Sequence, residues 1–473
     1  MKRLSILFLS TLLFGVAFAS LQMPAFFSDN MLVQQQSIFR IWGTAPANDV
    51  VAVRVSWDKK NYKTVADANG HWEVKIETPS ADNKLHSISV KADVKVQISN
   101  VLLGDLWFCS GQSNMEMPMK GFKNQPIEGG NMDILKSKNS SIRLFTVKRN
   151  ATLAPQTHVV GTWHEASPET VKEFSATAYY FGRLINNTMQ VPIGLIHSAW
   201  GGSSAEAWMS EDMLRAFPEV KIPKTDADVK DKNRTPTMLY NAMVAPLLGL
   251  SIKGFIWYQG ESNYDRAHTY AQMFATMVNG WRANWNATDT LPFYYCQIAP
   301  YDYALVTEKG KPVINAAFLR EAQLKAEKLI PASGMAVLMD AGEEKCIHPA
   351  QKQLAGERLA LLALSKTYAV KGVSAESPLY KSMEIKNDTV HLSFERADMW
   401  LTARNGESQC FTVAGADGVF YPAKAWIVRS KVLLKSENVP KPVAVRYAFD
   451  NFVVGDLYST EGIPVSSFRT DSW

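Results

Sequence analysis

Five short apolar runs in the middle of the chain restrict its possible folds more than any other feature. The runs are separated by helical patterns and cover residues 101–109, 193–197, 254–258, 293–298 and 335–339. Strands that helices cover on both faces read as short, continuous apolar runs. The sequence therefore predicts an α/β fold, with a parallel sheet between layers of helices.

The regions on either side of these runs have a different pattern, in which polar and apolar residues alternate. Residues 50–55 alternate in this way before the first run, and residues 389–394 and 443–449 do so after the last. Alternation over short segments with polar turns between them is typical of antiparallel strands. We expect an N-terminal β-domain at 20–100 and a C-terminal β-rich region at 368–473, with the α/β domain that contains the five runs between them at 101–367. The sequence does not decide whether the two β-regions pack together.

The first 19 residues have the order of a secretory signal peptide. Lys2 and Arg3 precede an apolar stretch at residues 4–16, and Ala17-Phe18-Ala19 follows with small residues at its first and third positions. We expect cleavage near Ser20 and export of the mature protein to the periplasm or the medium. The apolar stretch is too short to span a bilayer, and no later stretch reaches the roughly 20 apolar residues of a membrane helix. No membrane insertion is therefore expected.

Charge and cysteine content exclude several classes of function. The formal net charge is +5, and loss of Lys2 and Arg3 with the signal peptide leaves +3, which is too little to predict a nucleic-acid partner. The four cysteines are Cys109, Cys296, Cys346 and Cys410. They allow at most two disulfides, and the sequence assigns neither a pairing nor an oligomeric state. No ligand spacing fits a metal site, so we expect no metal and no other cofactor.

The first candidate for chemistry is Ser113, which follows the run that ends near Cys109. Parallel strands present their active sites at the carboxyl edge of the sheet, and Ser113 lies where the chain turns there from strand to helix. Amides of such a turn point toward an anion formed beside the hydroxyl. The glycine that ends a Gly-x-Ser-x-Gly nucleophile elbow is missing, so the α/β-hydrolase signature does not fit. A helix cap is the alternative role for this serine.

The second candidate is His348, which follows the last apolar run and precedes a helical pattern. Pro349 suits the first position of that helix, so the imidazole is expected at the same edge of the sheet as Ser113. A histidine that only caps the helix is the alternative. Two further strand ends carry groups that can donate hydrogen bonds. Gly201 and Gly202 follow one run, and their backbone amides can approach a ligand closely. Residues 259–263 follow another run and include amide side chains.

Together these segments resemble the sialate O-acetylesterase group of SGNH hydrolases. The resemblance rests on four blocks, namely Gly111-Gln112-Ser113-Asn114-Met115, Trp200-Gly201-Gly202-Ser203, Trp257-Tyr258-Gln259-Gly260-Glu261-Ser262-Asn263 and Ile347-His348-Pro349. Further similar segments extend it over nearly all of the mature chain. Any one block is weak, whereas the four together are specific.

The resemblance implies a flavodoxin-like three-layer α/β/α core and a serine esterase that removes acetyl groups from carbohydrates. Ser113 would be the nucleophile and His348 its base, acting through an acetyl-enzyme. The implied oxyanion donors are the Ser113 amide, a backbone amide at Gly201 or Gly202, and a side chain from Gln259 or Asn263. Trp200 and Glu261 are predicted to contact an acetylated carbohydrate substrate.

One position departs from the family pattern. Related enzymes usually have an aspartate two or three residues before the histidine, where this chain has Cys346 and Lys345. We expect Glu344, or else Glu343, to reach back and orient the imidazole, with Asp340 as a weaker candidate. A backbone carbonyl is the remaining alternative.

The loss of that aspartate also leaves a second class of function open. A non-catalytic carbohydrate-binding protein on the same scaffold would fit two flanking β-regions and aromatic residues such as Trp200, Trp208 and Tyr264. The presence of both Ser113 and His348 argues for the esterase. Among esterase substrates, acetylated sialic acids and acetylated plant glycans both fit the sequence.

Overall fold

The structure is a computed structural model that describes residues 20–285 and 290–473. The predicted signal peptide at 1–19 lies outside the described residues. The N-terminal region contains β1 (Leu32–Gln34), β2 (Ile38–Thr44), β3 (Val50–Val55), β4 (Tyr62–Val65), β5 (His71–Glu77) and β6 (His86–Lys91). β2 pairs with β5, and β3 pairs with β4 and β6, all antiparallel. These pairings give the antiparallel strands that the alternation predicts.

The strand that follows, β7 (Lys95–Gly111), joins this region to the central sheet. Its first part pairs antiparallel with β6, and its second part pairs in parallel with β1. The predicted domain boundary at 100/101 falls inside this strand, next to Asn100, which has a left-handed backbone with φ of 56°. Asparagine tolerates this conformation better than most residues, so the chain can change direction there while it remains extended.

The central sheet continues through β8 (Asn139–Thr146), β9 (Trp163–Ala166), β10 (Ile193–Ala199), β11 (Gly254–Tyr258), β12 (Phe293–Cys296) and β13 (Ser333–Ala336). The strand order is β13-β12-β11-β7-β10-β8-β9. All neighbours are parallel except β9, which is antiparallel to β8 at the edge. The predicted parallel sheet is confirmed, with one antiparallel edge strand added.

Helices cover both faces of this sheet. They are α1 (Ser113–Glu116), α2 (Gly130–Leu135), α3 (Pro168–Val171), α4 (Ala176–Met189), α5 (Glu211–Leu214), α6 (Ala267–Trp285), α7 (Ala317–Leu329) and α8 (Lys352–Lys366). α4 packs with α8, and α6 packs with α7. Neighbouring residues of β7 enter different cores: Trp107 packs with α4 and α8, and Phe108 packs with α6. The predicted three-layer α/β/α core is confirmed.

β8 is a strand of this sheet that the apolar runs do not reveal. Arg143 lies in its middle and is fully buried. Its guanidinium donates hydrogen bonds to the backbone carbonyl groups of Asn30, Asn100 and Ser140. A buried arginine is tolerated because each of these bonds replaces one to water. The polar side chain interrupts the apolar pattern, so periodicity alone does not identify the strand.

The C-terminal region is β-rich, as predicted. It contains β14 (Leu379–Lys386), β15 (Thr389–Glu395), β16 (Leu401–Ala403), β17 (Phe411–Ala414), β18 (Phe420–Pro422), β19 (Lys424–Val428), β20 (Lys431–Lys435), β21 (Ala444–Tyr447), β22 (Leu457–Ser459) and β23 (Phe468–Arg469). It packs on α7 through Arg320, a fully buried residue that donates hydrogen bonds to the carbonyl groups of Ala448, Asp450 and Asn451. Within the described residues no helix is long and apolar enough to cross a membrane.

Candidate active site

Ser113 lies at the carboxyl end of β7, where the chain turns into α1. Gly111 makes the turn with φ of 141°, and a Cβ at this position would lie 2.2 Å from the Tyr258 carbonyl oxygen of β11. Only glycine fits so close to a neighbouring backbone. Gln112 is buried, and its side-chain oxygen accepts hydrogen bonds from the Gly260 and Ser262 amides. Ser113 is left half-buried at the first position of the helix.

His348 lies in the connection between β13 and α8, and a hydrogen bond brings this connection to the serine. The Asn114 side-chain amide donates to the Ile347 carbonyl oxygen at 3.0 Å. The residue after Ser113 is thus bonded to the residue before His348, so the predicted nucleophile and base lie at one edge of the sheet. No hydrogen bond joins Ser113 Oγ to His348 within residues 20–285 and 290–473. Such bonds are often long in unliganded enzymes.

Two side chains from a distant turn contact the His348 ring. His348 Nδ1 lies 2.8 Å from Gln125 Oε1, and the Phe122 ring packs edge to face on the imidazole at 5.3 Å. Burial lowers the pKa of His348 to about 4, and the positive charge of Lys352 adds to this effect. The imidazole is therefore neutral at neutral pH, the form that a general base requires.

None of the predicted acids is bonded to this imidazole in the described part of the chain. Glu344 is exposed, and Glu343 instead accepts a hydrogen bond from the Ala350 amide at 2.7 Å. Asp340 is committed elsewhere, because both of its oxygens pair with the buried Arg358 guanidinium at 2.6 and 2.7 Å. A side-chain amide thus stands where a carboxylate was predicted, since Glu343 and Asp340 have other partners and Glu344 is exposed.

The two glycines after β10 have different surroundings. A Cβ on Gly201 would lie 3.3 Å from Ser113 Cβ, so this glycine lets the backbone approach Ser113. Its amide, however, donates to Glu116 Oε2 at 2.8 Å. The amides of Ser113 and Gly202 make no hydrogen bond to another described residue. Of the predicted backbone donors, those two are therefore free for an oxyanion, and Gly201 is occupied.

The predicted side-chain donors of the oxyanion hole also differ from each other. Gln259 is fully buried and uses both amide hydrogens, one on the Ser203 carbonyl oxygen and one on Asn263 Oδ1. This geometry leaves Gln259 no hydrogen to donate to an oxyanion, so its side chain stabilises the segment at 257–263 instead. Asn263 donates one hydrogen to Glu206 Oε2 at 2.9 Å and keeps a second. Asn263 is therefore the side chain that can still donate.

The two predicted substrate contacts are also placed differently. Trp200 is half-buried, and the Arg149 guanidinium lies 5.7 Å from its ring centroid while pairing with Glu116. Glu261 is only 5% exposed and accepts a hydrogen bond from Asn114. Burial raises the pKa of the Glu261 carboxyl. This residue lies beneath the loops of the site and does not fit the predicted substrate contact.

A comparison with known families agrees with the architecture and with these blocks. The family model described as "Carbohydrate esterase, sialic acid-specific acetylesterase" matches residues 103–365, which is more than half of the chain. The protein belongs to this esterase family. The resemblance that the four blocks indicate is thereby confirmed.

Individual relatives agree with this membership. Sialate O-acetylesterase of Rattus norvegicus is 27% identical over 441 residues, covering 81% of this chain and 79% of the rat protein. The human sialate O-acetylesterase is 28% identical over 402 residues, covering 78% of this chain and 75% of its own. A crystal structure of a carbohydrate acetylesterase from Xanthomonas citri has a TM-score of 0.86 and 35% identity, and covers 96% of this chain and 100% of that chain. The non-catalytic alternative is not favoured by these similarities.

Three residues of this esterase site escape sequence reasoning. Gln125 and Glu116 are polar residues without a motif, and their contacts with His348 and Gly201 form only in the folded chain. Lys352 starts α8 and is 1% exposed, and burial lowers its pKa to about 8 against the opposing charge of Glu261. Within residues 20–285 and 290–473, no group of three or more His, Cys, Asp or Glu side chains could hold a metal ion. All four cysteines are free.

Proposed function

We propose that this carbohydrate esterase removes O-acetyl groups by a serine mechanism, with Ser113 as nucleophile and His348 as base. The observation that carries the proposal is the 3.0 Å hydrogen bond from Asn114 to the Ile347 carbonyl oxygen. Because Asn114 follows Ser113 and Ile347 precedes His348, this bond supports the proposal by joining the segments that carry the two residues. The neutral imidazole and the free amides of Ser113 and Gly202 add the groups that acyl transfer needs.

The proposed reaction has two stages. In the first, His348 Nε2 takes the proton from Ser113 Oγ while Oγ bonds to the acetyl carbon. The amides of Ser113 and Gly202, with Asn263, donate to the oxyanion of the tetrahedral intermediate; each donor of this kind contributes roughly 3 kcal/mol. The intermediate collapses to an acetyl-enzyme, and the sugar oxygen leaves with the proton from His348. In the second stage, His348 takes a proton from the water that attacks the acetyl carbon. The second tetrahedral intermediate then collapses, acetate leaves, and His348 returns the proton to Ser113 Oγ.

The test of this mechanism uses Ser113→Ala. Loss of the hydroxyl should abolish hydrolysis of an aryl acetate and of acetylated sugars, with an unchanged thermal unfolding midpoint. A serine-directed phosphonate should label the wild-type protein and not the variant. Near wild-type turnover by the variant would overturn the nucleophile assignment. A wild-type protein that binds sugars but cleaves no aryl acetate would instead support the carbohydrate-binding alternative.

The proposed substrate is an acetylated glycan, either an acetylated sialic acid or an acetylated plant polysaccharide. Two curated relatives are sialate O-acetylesterases, which supports the first class. Trp200 precedes Gly201 and offers an aromatic face, and the Arg149 guanidinium lies 5.7 Å from its ring centroid while it pairs with Glu116. Acetate release should be compared on acetylated sialic acid, xylan and xyloglucan. A kcat/KM for one class at least about tenfold above the others, or 1.4 kcal/mol, would assign it.

We also propose that the protein acts outside the cytoplasm. The support is the order of charged, apolar and small residues at 1–19. N-terminal sequencing of the protein from the expressing cells should give a chain that begins near Ser20. A chain that keeps Lys2 and Arg3 would contradict export by cleavage.

A further inference from the structure

We infer that Gln125 is the residue that positions His348, in place of the carboxylate found in related enzymes. The inference rests on the proposed serine mechanism, in which His348 is the base. His348 Nδ1 and Gln125 Oε1 are 2.8 Å apart across 223 residues of sequence. When Nδ1–H donates to this oxygen, the lone pair of the imidazole is fixed on Nε2, the atom that takes the serine proton.

A tight turn holds Gln125 in place for this role. The Phe122 amide donates to the Gln125 carbonyl oxygen and the Gln125 amide donates to the Phe122 carbonyl oxygen, both at 3.0 Å. Asn124 occupies the left-handed position of the turn with φ of 61°. The turn thus presents two side chains to one imidazole. Phe122 packs on the His348 ring from one side, while Gln125 bonds to its edge.

A second contact attaches this segment to the histidine loop. The Glu128 amide donates to the Ala350 carbonyl oxygen at 3.0 Å, two residues beyond His348. On the other side of the loop, Cys346 Sγ donates to the His348 carbonyl oxygen at 3.2 Å. These two bonds fix the backbone of the histidine loop at His348 and Ala350. The contact with Gln125 then orients the imidazole ring on that backbone.

A neutral partner also fits the electrostatics of the site. A carboxylate at Nδ1 would favour the imidazolium and raise the pKa of His348. Here burial and Lys352 lower that pKa to about 4, and no carboxylate among the described residues bonds to Nδ1. An amide oxygen can set the tautomer without adding charge. The enzyme therefore has a base that stays neutral over a wide pH range.

The experiment measures pH profiles of kcat/KM with an aryl acetate for three variants. Gln125→Glu places a charge at Nδ1, so the acid limb of the profile should move upward by about one pH unit or more. Gln125→Leu removes the acceptor, so kcat should fall by about 10- to 100-fold with little change in KM. Glu344→Gln is the matched control in the histidine loop and should behave like the wild type.

The outcomes separate the inference from the mechanism on which it rests. An unmoved acid limb in Gln125→Glu, together with near wild-type kcat in Gln125→Leu, would overturn the role of Gln125. A steep loss in Glu344→Gln would also overturn it, because a carboxylate would then reach back to the imidazole. Ser113→Ala in the same assay tests the mechanism itself: turnover by that variant removes the serine pathway. Because Gln125 is only half-buried on a surface turn, its variants should fold, and thermal unfolding checks this.

Discussion

Ser113 and His348 share one edge of the sheet, yet the chain holds the two residues in different ways. The serine lies on a continuous path of strand, turn and helix, where backbone hydrogen bonds fix it. The Gln112 amide donates to the Tyr258 carbonyl oxygen at 2.9 Å, and the Glu116 amide donates to the Gln112 carbonyl oxygen. The residues around it are buried core. Local sequence and sheet register thus place Ser113.

The histidine lies in a connection without a helix or long strand, and contacts from distant segments hold it. Gln125 and Phe122 contact the ring, and Asn114 contacts the preceding carbonyl group. Few of these contacts are backbone bonds within one element. From this comparison we expect the position of Ser113 to tolerate change outside its own turn, whereas the position of His348 depends on several separate side chains.

The largest effect should come from removing either reacting group. Ser113→Ala and His348→Ala should each lower kcat on the order of 10⁴-fold or more, and the double variant should lose little beyond that. Residues that act as one unit show this non-additive behaviour. Steady-state kinetics with an aryl acetate measures all three. Additive losses would mean that Ser113 and His348 do not act in the same proton transfer. The comparison of the two segments that hold them would then not describe one active site.

The next effect is on stability rather than on rate. Asp340→Asn breaks the ion pair with Arg358, whose side chains are only 5% and 9% exposed, and leaves a buried charge without a partner. The free energy of unfolding should fall by about 3 kcal/mol or more. Because Asp340 does not contact the imidazole, kcat of the folded protein should stay near wild type. A large fall in kcat below the unfolding transition would instead make Asp340 the acid of the site.

A smaller effect should follow from breaking the Asn114–Ile347 hydrogen bond, which joins the serine turn to the histidine loop. Asn114→Ala removes the bond to Ile347 and a donor to the buried Glu261, which should cost about 1–3 kcal/mol of stability and lower kcat about tenfold. Thr177→Val is the matched control, because Thr177 Oγ1 donates to the Asn114 carbonyl oxygen and supports the serine side alone. Equal losses of kcat in both variants would show that the link has no special role in catalysis.

The smallest effect is expected in the pH profile. Activity needs neutral His348, whose pKa burial and Lys352 lower to about 4, so kcat/KM should fall only as the pH drops toward 4. Lys352→Met removes a positive charge near the imidazole, which should raise that pKa and move the acid limb upward. Activity at pH 7 should not change. A limb that stays fixed would show that burial alone sets the pKa of His348, and a limb that moves downward would contradict the charge effect of Lys352.

The sequence by itself determined the elements that carry the nucleophile. Continuous apolar runs identify β7, β10 and β11, because strands buried on both faces must be apolar along their length. The same reasoning puts their polar ends at one edge of the sheet, where Ser113 lies. The apolar runs do not identify β8, because the buried Arg143 interrupts its pattern. That arginine is stable there because the carbonyl groups of Asn30 and Asn100 accept its hydrogen bonds, and only the folded chain brings these groups together.

The tertiary structure decided the partner of each polar side chain around the base. Glu344 and Glu343 are near His348 in sequence, yet one is exposed and the other bonds to the Ala350 amide. Gln125 is 223 residues away and reaches the imidazole because its turn packs beside the histidine loop. Periodicity reports which face of an element is buried, but a hydrogen bond between two loops depends on the positions of both, which only the folded chain fixes.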